Sequence, residues 1–265
     1  MQDAVVIVGG GALQVPLIHD AQRLGVLPLV TDRNPTAPGF AIPGVQAFVL
    51  DTYDVEGHEE LMRDLMRMYA VRGVCTAGAD VAHTVAAVAA AAGVPGIPYL
   101  IAAQSHNKGM VRSLLKTAQL SCYQPSMWFI VAQDTIRPVE VQNVLTHYPV
   151  VVKPLRERAS RGITIVQEPA QLQWAIDKAL EYDDEFLVEQ CLTGSEHSAE
   201  ILLSGDEPAG FLWFNIVDRV FDYSAGVPIE VGHVNPTKLA MDRQHDIRKM
   251  LLLAARALGV TWGPF

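Results

Sequence analysis

Short β-branched apolar runs alternate with helical stretches through the first hundred residues, and this alternation constrains the fold more than any other feature. Ala4 to Val8 (AVVIV) has no polar residue on either side, so as a strand it must be covered on both faces. It runs into Gly9-Gly10-Gly11 and then a helical pattern through Leu13, Leu17, Ala21 and Leu24. Val26 to Thr31, ending at Asp32, Phe48 to Leu50, and Gly73 to Thr76 read as further strands. A helix from near Val55 carries Leu61, Leu65, Met68 and Tyr69 as its apolar stripe, and an alanine-rich helix covers 81–92. A parallel sheet with right-handed crossovers is the arrangement that buries such strands.

At 265 residues the chain has room for about two domains. Half of its residues are hydrophobic and 18% charged, which excludes a disordered chain. A net charge of −9 argues against nucleic acid or an anionic membrane as the main partner. The longest apolar stretch, Val85 to Val94, is about half of a membrane span. Met1-Gln2-Asp3-Ala4 has no basic n-region, and three scattered cysteines without a CxxC suit a reduced, cytoplasmic-type chain.

After Pro98 the pattern changes. A helix spans Lys108 to Leu120, and Met127 to Val131, Val150 to Lys153 and Ile163 to Gln167 read as strands, the last two joined by a loop over 154–162. Glu168 to Leu180 reads as a helix, followed by strands at Phe186 to Glu189, Ser195 to Ser204 and Gly210 to Val217, with Gly205-Asp206-Glu207-Pro208 as the turn between the last two. Asp242 to Leu258 is the final helix.

The glycine turn after the first strand, with Asp32 ending the second, partly matches a dinucleotide fingerprint. The third glycine position holds Gln14, so the turn reads either as a weakened NAD(P) site of an oxidoreductase or as a tight turn at the sheet's end. The second half carries more chemistry. Val150-Val151-Val152-Lys153-Pro154 ends an apolar strand in an ammonium, which is costly to bury unless an anion meets it. The following Arg156-Glu157-Arg158-Ala159-Ser160-Arg161-Gly162 is either a cationic loop that closes over a polyphosphate or a solvated hairpin tip. Glu196, Ser198 and Glu200 share one face of a strand and can grip a ribose, a metal or an amine, or simply face water. Eight histidines include no HExxH and no close His/Cys pair.

In this order the segments resemble the ATP-grasp superfamily, particularly its carbamoyl-phosphate synthetase-like and carboxylate–amine ligase branch. "TDRNPTAPG" and "TAGAD" are similar to parts of the α/β domain that precedes the ATP-grasp fold. "HNKGMVRSLLKTAQL" and "YPVVVKP" resemble the segments whose lysines meet ATP phosphates, here Lys108 and Lys153. "RERASRGI" resembles the phosphate-covering loop, with Ser160 and Gly162 in place and Arg158 as a catalytic candidate. "FLVEQCL" resembles the adenine hinge, giving Glu189, Gln190, Cys191 and Leu192, and Glu196 falls at the ribose-binding carboxylate. "GHVNP" resembles a substrate-side loop and makes His233 a second catalytic candidate.

The resemblance implies an α/β chain divided into a Rossmann-like domain (1–103), an ATP-grasp lid (104–187) and part of a larger lobe (188–265). It implies ATP and Mg²⁺ as cofactors, small-molecule carboxylate and amine substrates, and an amide formed through an acylphosphate, and it is compatible with a homodimer. The alternative it leaves is a non-catalytic ATP-binding or regulatory module. In the family the Mg²⁺ ligands lie in strands beyond the position of Phe265, so a chain of this length is expected to bind ATP weakly and to lack turnover.

Overall fold

A computed structural model describes residues 1–120, 124–132, 141, 145, 147–157, 160–205, 210–224 and 228–265. The chain divides into two units, Met1–Ala103 and Gln104–Phe265.

In the first unit four strands, β1 (Gln2–Val8), β2 (Leu27–Asp32), β3 (Gln46–Val49) and β4 (Tyr69–Cys75), form a parallel sheet in the order β3-β2-β1-β4. The apolar run of β1 is buried on both faces, as its composition requires. Ala4, Val6 and Val8 pack with Leu29, Met62, Leu65 and Val88, so α2 (Val55–Met68) and α3 (Ala82–Ala92) cover one side. Ile7 and Val30 meet Ile18 and Ala21 of α1 (Val15–Arg23) on the other. Asp54 caps α2 by accepting the Gly57 N–H at 2.9 Å. The helix stops at Met68, and Tyr69, expected on its apolar stripe, instead starts β4 opposite Gln2. A β-prone Tyr-Ala-Val run placed in register with β1 overrides the helical period there.

After α4 (Tyr99–Ser105), α5 (Lys108–Thr117) of the second unit is capped by Asn107, which accepts the Met110 N–H at 3.0 Å. An antiparallel sheet follows, β5 (Trp128–Ala132), β8 (Glu185–Gln190), β6 (Val150–Pro154) and β7 (Thr164–Val166) in that spatial order. Helix α6 (Leu172–Leu180) lies against it, burying Leu172, Ala175, Ile176 and Ala179 on Val150, Val152, Phe186 and Val188. A 3₁₀ turn over Pro169–Gln171 precedes α6, which therefore starts later than Glu168.

The second sheet orders β11 (Ile229–Val234), β10 (Phe211–Asp222), β9 (His197–Ser204) and β12 (Trp262–Pro264), all antiparallel. Helix α7 (Met241–Ala257) packs on β9. Two strand assignments differ from the sequence reading. β10 continues beyond Val217 to Asp222, and Gly232-His233-Val234, read as a loop, lies in β11 opposite Val220, Arg219 and Asp218. Of the turn between β9 and β10, Asp206, Glu207 and Pro208 lie outside the described residues.

One buried histidine of the first unit has a functional consequence for stability. His58 is 1% exposed; its Nδ1–H donates to the Asp54 carbonyl at 2.7 Å and its Nε2 accepts from the Thr31 hydroxyl at 2.9 Å. Both bonds suit the neutral ring, and burial pushes the imidazole pKa below its usual 6.5. The unfolded chain therefore binds a proton that the folded chain resists, and stability present above pH 6.5 is lost as pH falls through the folded value. The urea midpoint should drop between pH 7.5 and 5.5 by more in the native sequence than in His58→Gln. Equal slopes in the two proteins would remove His58 as the cause.

Candidate functional site

The glycine turn of the first unit is closed by its own side chains. Gly9 adopts φ +98°, and a Cβ there would meet the amide of Gln14 at 3.2 Å. Gln14 is buried and its Nε2–H donates to the Ala77 carbonyl, which ties the turn to the end of β4. The Asp32 carboxylate accepts the N–H groups of Gly10 at 2.9 Å and Asn34 at 2.8 Å. The groups that would hold a pyrophosphate and a ribose thus hold each other, and the oxidoreductase reading gives way to that of a structural turn.

In the second unit the period of two sorts β6 and β8 into faces. Val150, Val152, Phe186 and Val188 go to α6, leaving Val151, Lys153, Leu187 and Glu189 on the opposite face. Glu189 is 5% exposed and accepts from the Lys153 ammonium through Oε1. Its Oε2 accepts from Arg112 of α5, with Nε at 3.1 Å and Nη2 at 2.9 Å. A buried carboxylate requires such partners, and two cations satisfy it. Arg112 escaped the sequence reading; its signal was the i,i+4 spacing from Lys108 on one face of a helix.

Lys108 does not line the cavity described below. Its ammonium donates to the carbonyls of Pro154 and Leu155, each at 3.2 Å, and of Glu157, which fixes the root of the β6–β7 loop. Arg156 holds the same root, with its guanidinium on Asp183, Asp184 and Glu185 and its N–H on Asp183 at 2.9 Å. The Asp183 hydrogen bond holds the Arg156 guanidinium above its ordinary pKa. Gly162 has φ +68°, and a Cβ there would lie 2.7 Å from Pro154 Cγ and 2.9 Å from the Tyr182 ring. Close packing therefore requires glycine at 162. Ser160 adopts φ +59° at the exposed tip, and Arg158 lies outside the described residues.

A cavity of about 890 Å³ gathers most of the remaining candidates. Lys153, Ser160, Glu189, Gln190, Cys191, Leu192 and Glu196 all line it. The Gln190 N–H donates to Met127 O at 2.9 Å and the Cys191 N–H to Pro149 O at 3.2 Å, so these two hinge amides are already engaged. The Gln190 side chain turns away, accepting from Ser126 N–H and Oγ–H at 3.1 and 2.7 Å. Burial, and then the nearby Glu189 charge, push the Cys191 thiol pKa up, which disfavours the reactive thiolate.

Arg219 of β10, a second cation the sequence reading missed, also lines the cavity. It donates to Glu196 at 3.1 Å and grips Glu230 through two bonds of 3.0 and 2.7 Å. Its guanidinium also lies over the Phe221 ring at 4.7 Å. His233 Nε2 meets Glu230 Oε1 at 2.6 Å, and the Arg219 bond holds the Glu230 carboxyl below its ordinary pKa. Arg219 lies eleven residues from Glu230 in sequence, a distance that only the β10–β11 pairing closes. Among the described residues no three His, Cys, Asp or Glu side chains converge as metal ligands, and no helix is long and apolar enough to cross a membrane.

The chain resembles known proteins in both sequence and fold. Residues 115–262 match the family model described as D-ala D-ala ligase C-terminus. The D-alanine–D-alanine ligase of Trichlorobacter lovleyi is 36% identical over 112 residues, 42% of this chain and 35% of that protein. That of Hydrogenovibrio crunogenus is 30% identical over 141 residues, 52% and 44% respectively. The chain thus spans less than half the length of these curated relatives. An L-amino acid ligase from Bacillus licheniformis superposes with a TM-score of 0.74 at 23% identity, covering 100% of this chain and 62% of that one. The ADP complex of an N5-carboxyaminoimidazole ribonucleotide synthetase gives 0.75 at 14% identity, with 98% and 64% covered. These likenesses are of fold, and the fold is that of ATP-grasp ligases.

The doubly bonded Glu189 makes a stability prediction. Breaking a buried ion pair by removing one partner costs about 3–5 kcal/mol. Glu189→Ala should destabilise the second unit by about that amount in urea unfolding at pH 7. A loss below about 1 kcal/mol, the worth of an exposed pair, would show that the carboxylate is not held as described.

Proposed function

The chain belongs to the D-Ala–D-Ala ligase C-terminal family, and from that premise we propose that it is an ATP-dependent carboxylate–amine ligase. ATP phosphorylates a small-molecule carboxylate to an acylphosphate with release of ADP; an amine then attacks the acyl carbon, displaces phosphate and leaves an amide. The observation that carries the reading is the cavity that Lys153, the hinge 189–192 and Glu196 line together. A nucleotide bound in it meets an amide N–H for adenine at Leu192, a carboxylate for ribose at Glu196 and an ammonium for phosphate at Lys153.

The protein's part in such chemistry is positioning and charge compensation. Glu189 and Arg112 fix the Lys153 ammonium before nucleotide arrives, so little order is lost on binding. Lys108 and Arg156 hold the root of the β6–β7 loop, and the loop itself, with Ser160, Gly162 and Arg158, covers the phosphates and keeps water out. His233 and Glu230 stand on the substrate side. Mg²⁺ would add charge neutralisation between ATP and the carboxylate; among the described residues no three His, Cys, Asp or Glu side chains converge to hold it. In this reading 104–187 is the lid and 188–265 part of the larger lobe, and a homodimer is the assembly to look for.

Loss of one charge-assisted contact costs about 1.5–3 kcal/mol, or one to two decades in affinity. Lys153→Ala should weaken ADP binding by that amount in calorimetry, and Lys108→Ala should do the same by loosening the loop root. ADP affinity unchanged in both variants would remove the phosphate assignment. Activity is read as ADP release that requires both a carboxylate and an amine.

A further inference from the structure

The start of β9 carries a side-chain relay that the ligase reading leaves unexplained. Ser195 Oγ lies 2.8 Å from His197 Nε2, and His197 Nδ1 lies 3.0 Å from Asp218 Oδ1. A carboxylate only accepts, so Nδ1 carries the hydrogen in this pair, and Nε2 is the nitrogen placed to accept from the Ser195 hydroxyl. Asp218 is itself fixed: Thr237 Oγ–H donates to Oδ1 and the Lys238 N–H donates to Oδ2 at 3.1 Å. These bonds hold its carboxyl below the ordinary pKa, so it is charged throughout the neutral range. His197 and Asp218 are mostly shielded, at 16% and 17% side-chain exposure, whereas Ser195 is exposed. The three residues open on a cavity of about 530 Å³ that shares Ser195, Glu196 and Arg219 with the larger one, and whose wall also includes Lys238.

Nucleophile, base and orienting acid are thus joined through the nitrogens that general-base activation of a serine needs. We propose that Ser195 is an activated nucleophile that hydrolyses small carboxylic esters held in this cavity, beside the nucleotide wall of the larger one. Ser195 Oγ bonds to the ester carbonyl carbon while its proton passes to His197 Nε2. The bond to the alcohol oxygen then breaks, and the same proton leaves with the alcohol. Water attacks the acyl-serine next, giving its proton to Nε2; the carboxylic acid departs and Oγ recovers a proton. Lys238 supplies positive charge on the cavity wall while the carbonyl oxygen is anionic.

The test uses an alkyl fluorophosphonate, which bonds covalently to activated serines, and p-nitrophenyl acetate as the ester. In the native sequence a single adduct should map by mass spectrometry to the peptide holding Ser195. Labelling and ester hydrolysis should both be absent in Ser195→Ala and reduced about 100-fold in His197→Gln and Asp218→Asn. No adduct in the folded native protein, or labelling unchanged in Ser195→Ala, would reduce the relay to a hydrogen-bonded staple and overturn the proposal. Because the first arm needs no variant, misfolding of a mutant cannot obscure it. ADP affinity measured on the same samples tests the ligase reading separately, so either can fail alone.

Discussion

One buried carboxylate organises the second unit's functional face. Glu189 sits where β6, β8 and α5 converge, and neither of its cations has another acidic partner among the bonds described. Without Glu189, Lys153 would stand as an ammonium at the end of an apolar strand and Arg112 would face the sheet uncompensated. With it, three elements of distant sequence are bound at one point, and a face that would otherwise be a liability becomes a fixed array of charge. Such a cluster is weak evidence for net stability but strong evidence for a specified geometry, since its partners permit few other arrangements.

The cavity depends equally on strand periodicity. Alternation sends Val150, Val152, Phe186 and Val188 to the helix-covered core, and this leaves the odd-numbered neighbours free to carry charge. A slip of one residue in the β6–β8 register would bury Lys153 under α6 and turn a core valine to the cavity. The large apolar investment in the core therefore fixes the position of the few polar groups. In β10 and β11 the same rule brings Arg219 beside His233, and a register shift between Val220 and Phe221 re-aims the strand near the cavity.

The sequence made local structure legible and long-range pairing invisible. The parallel sheet could be read because its central strands, β1 and β2, announce two-sided burial in a handful of residues, as AVVIV does. Lys153 could be read because an ammonium in a run of valines demands an anion. Which anion could not be read: Glu189 is thirty-six residues away, and Arg112 is seventy-seven residues from Glu189. Gln14 stood out as a defect in a glycine fingerprint, but only the fold shows its amide filling the space and reaching Ala77. β11 was missed because "GHVNP" drew attention as a motif, although Ile229, Val231 and His233 alternate with Glu230 and Gly232 as strand residues do.

Charge compensation in the large cavity also bears on what can bind there. Lys153 is held by Glu189, and Arg219 by Glu196 and Glu230, so an incoming anion meets no bare cation among these groups. Its affinity is then the difference between two sets of ion pairs, one broken or shared and one formed. A monovalent anion gains too little to displace a buried carboxylate that already makes three hydrogen bonds. A polyphosphate presents several charges at once, and it can draw on the ammonium while Glu189 keeps its fork to Arg112. On the proposed nucleotide reading, such internal pairing favours a ligand of high charge density over a monovalent anion, which a cavity of unpaired lysines would not do.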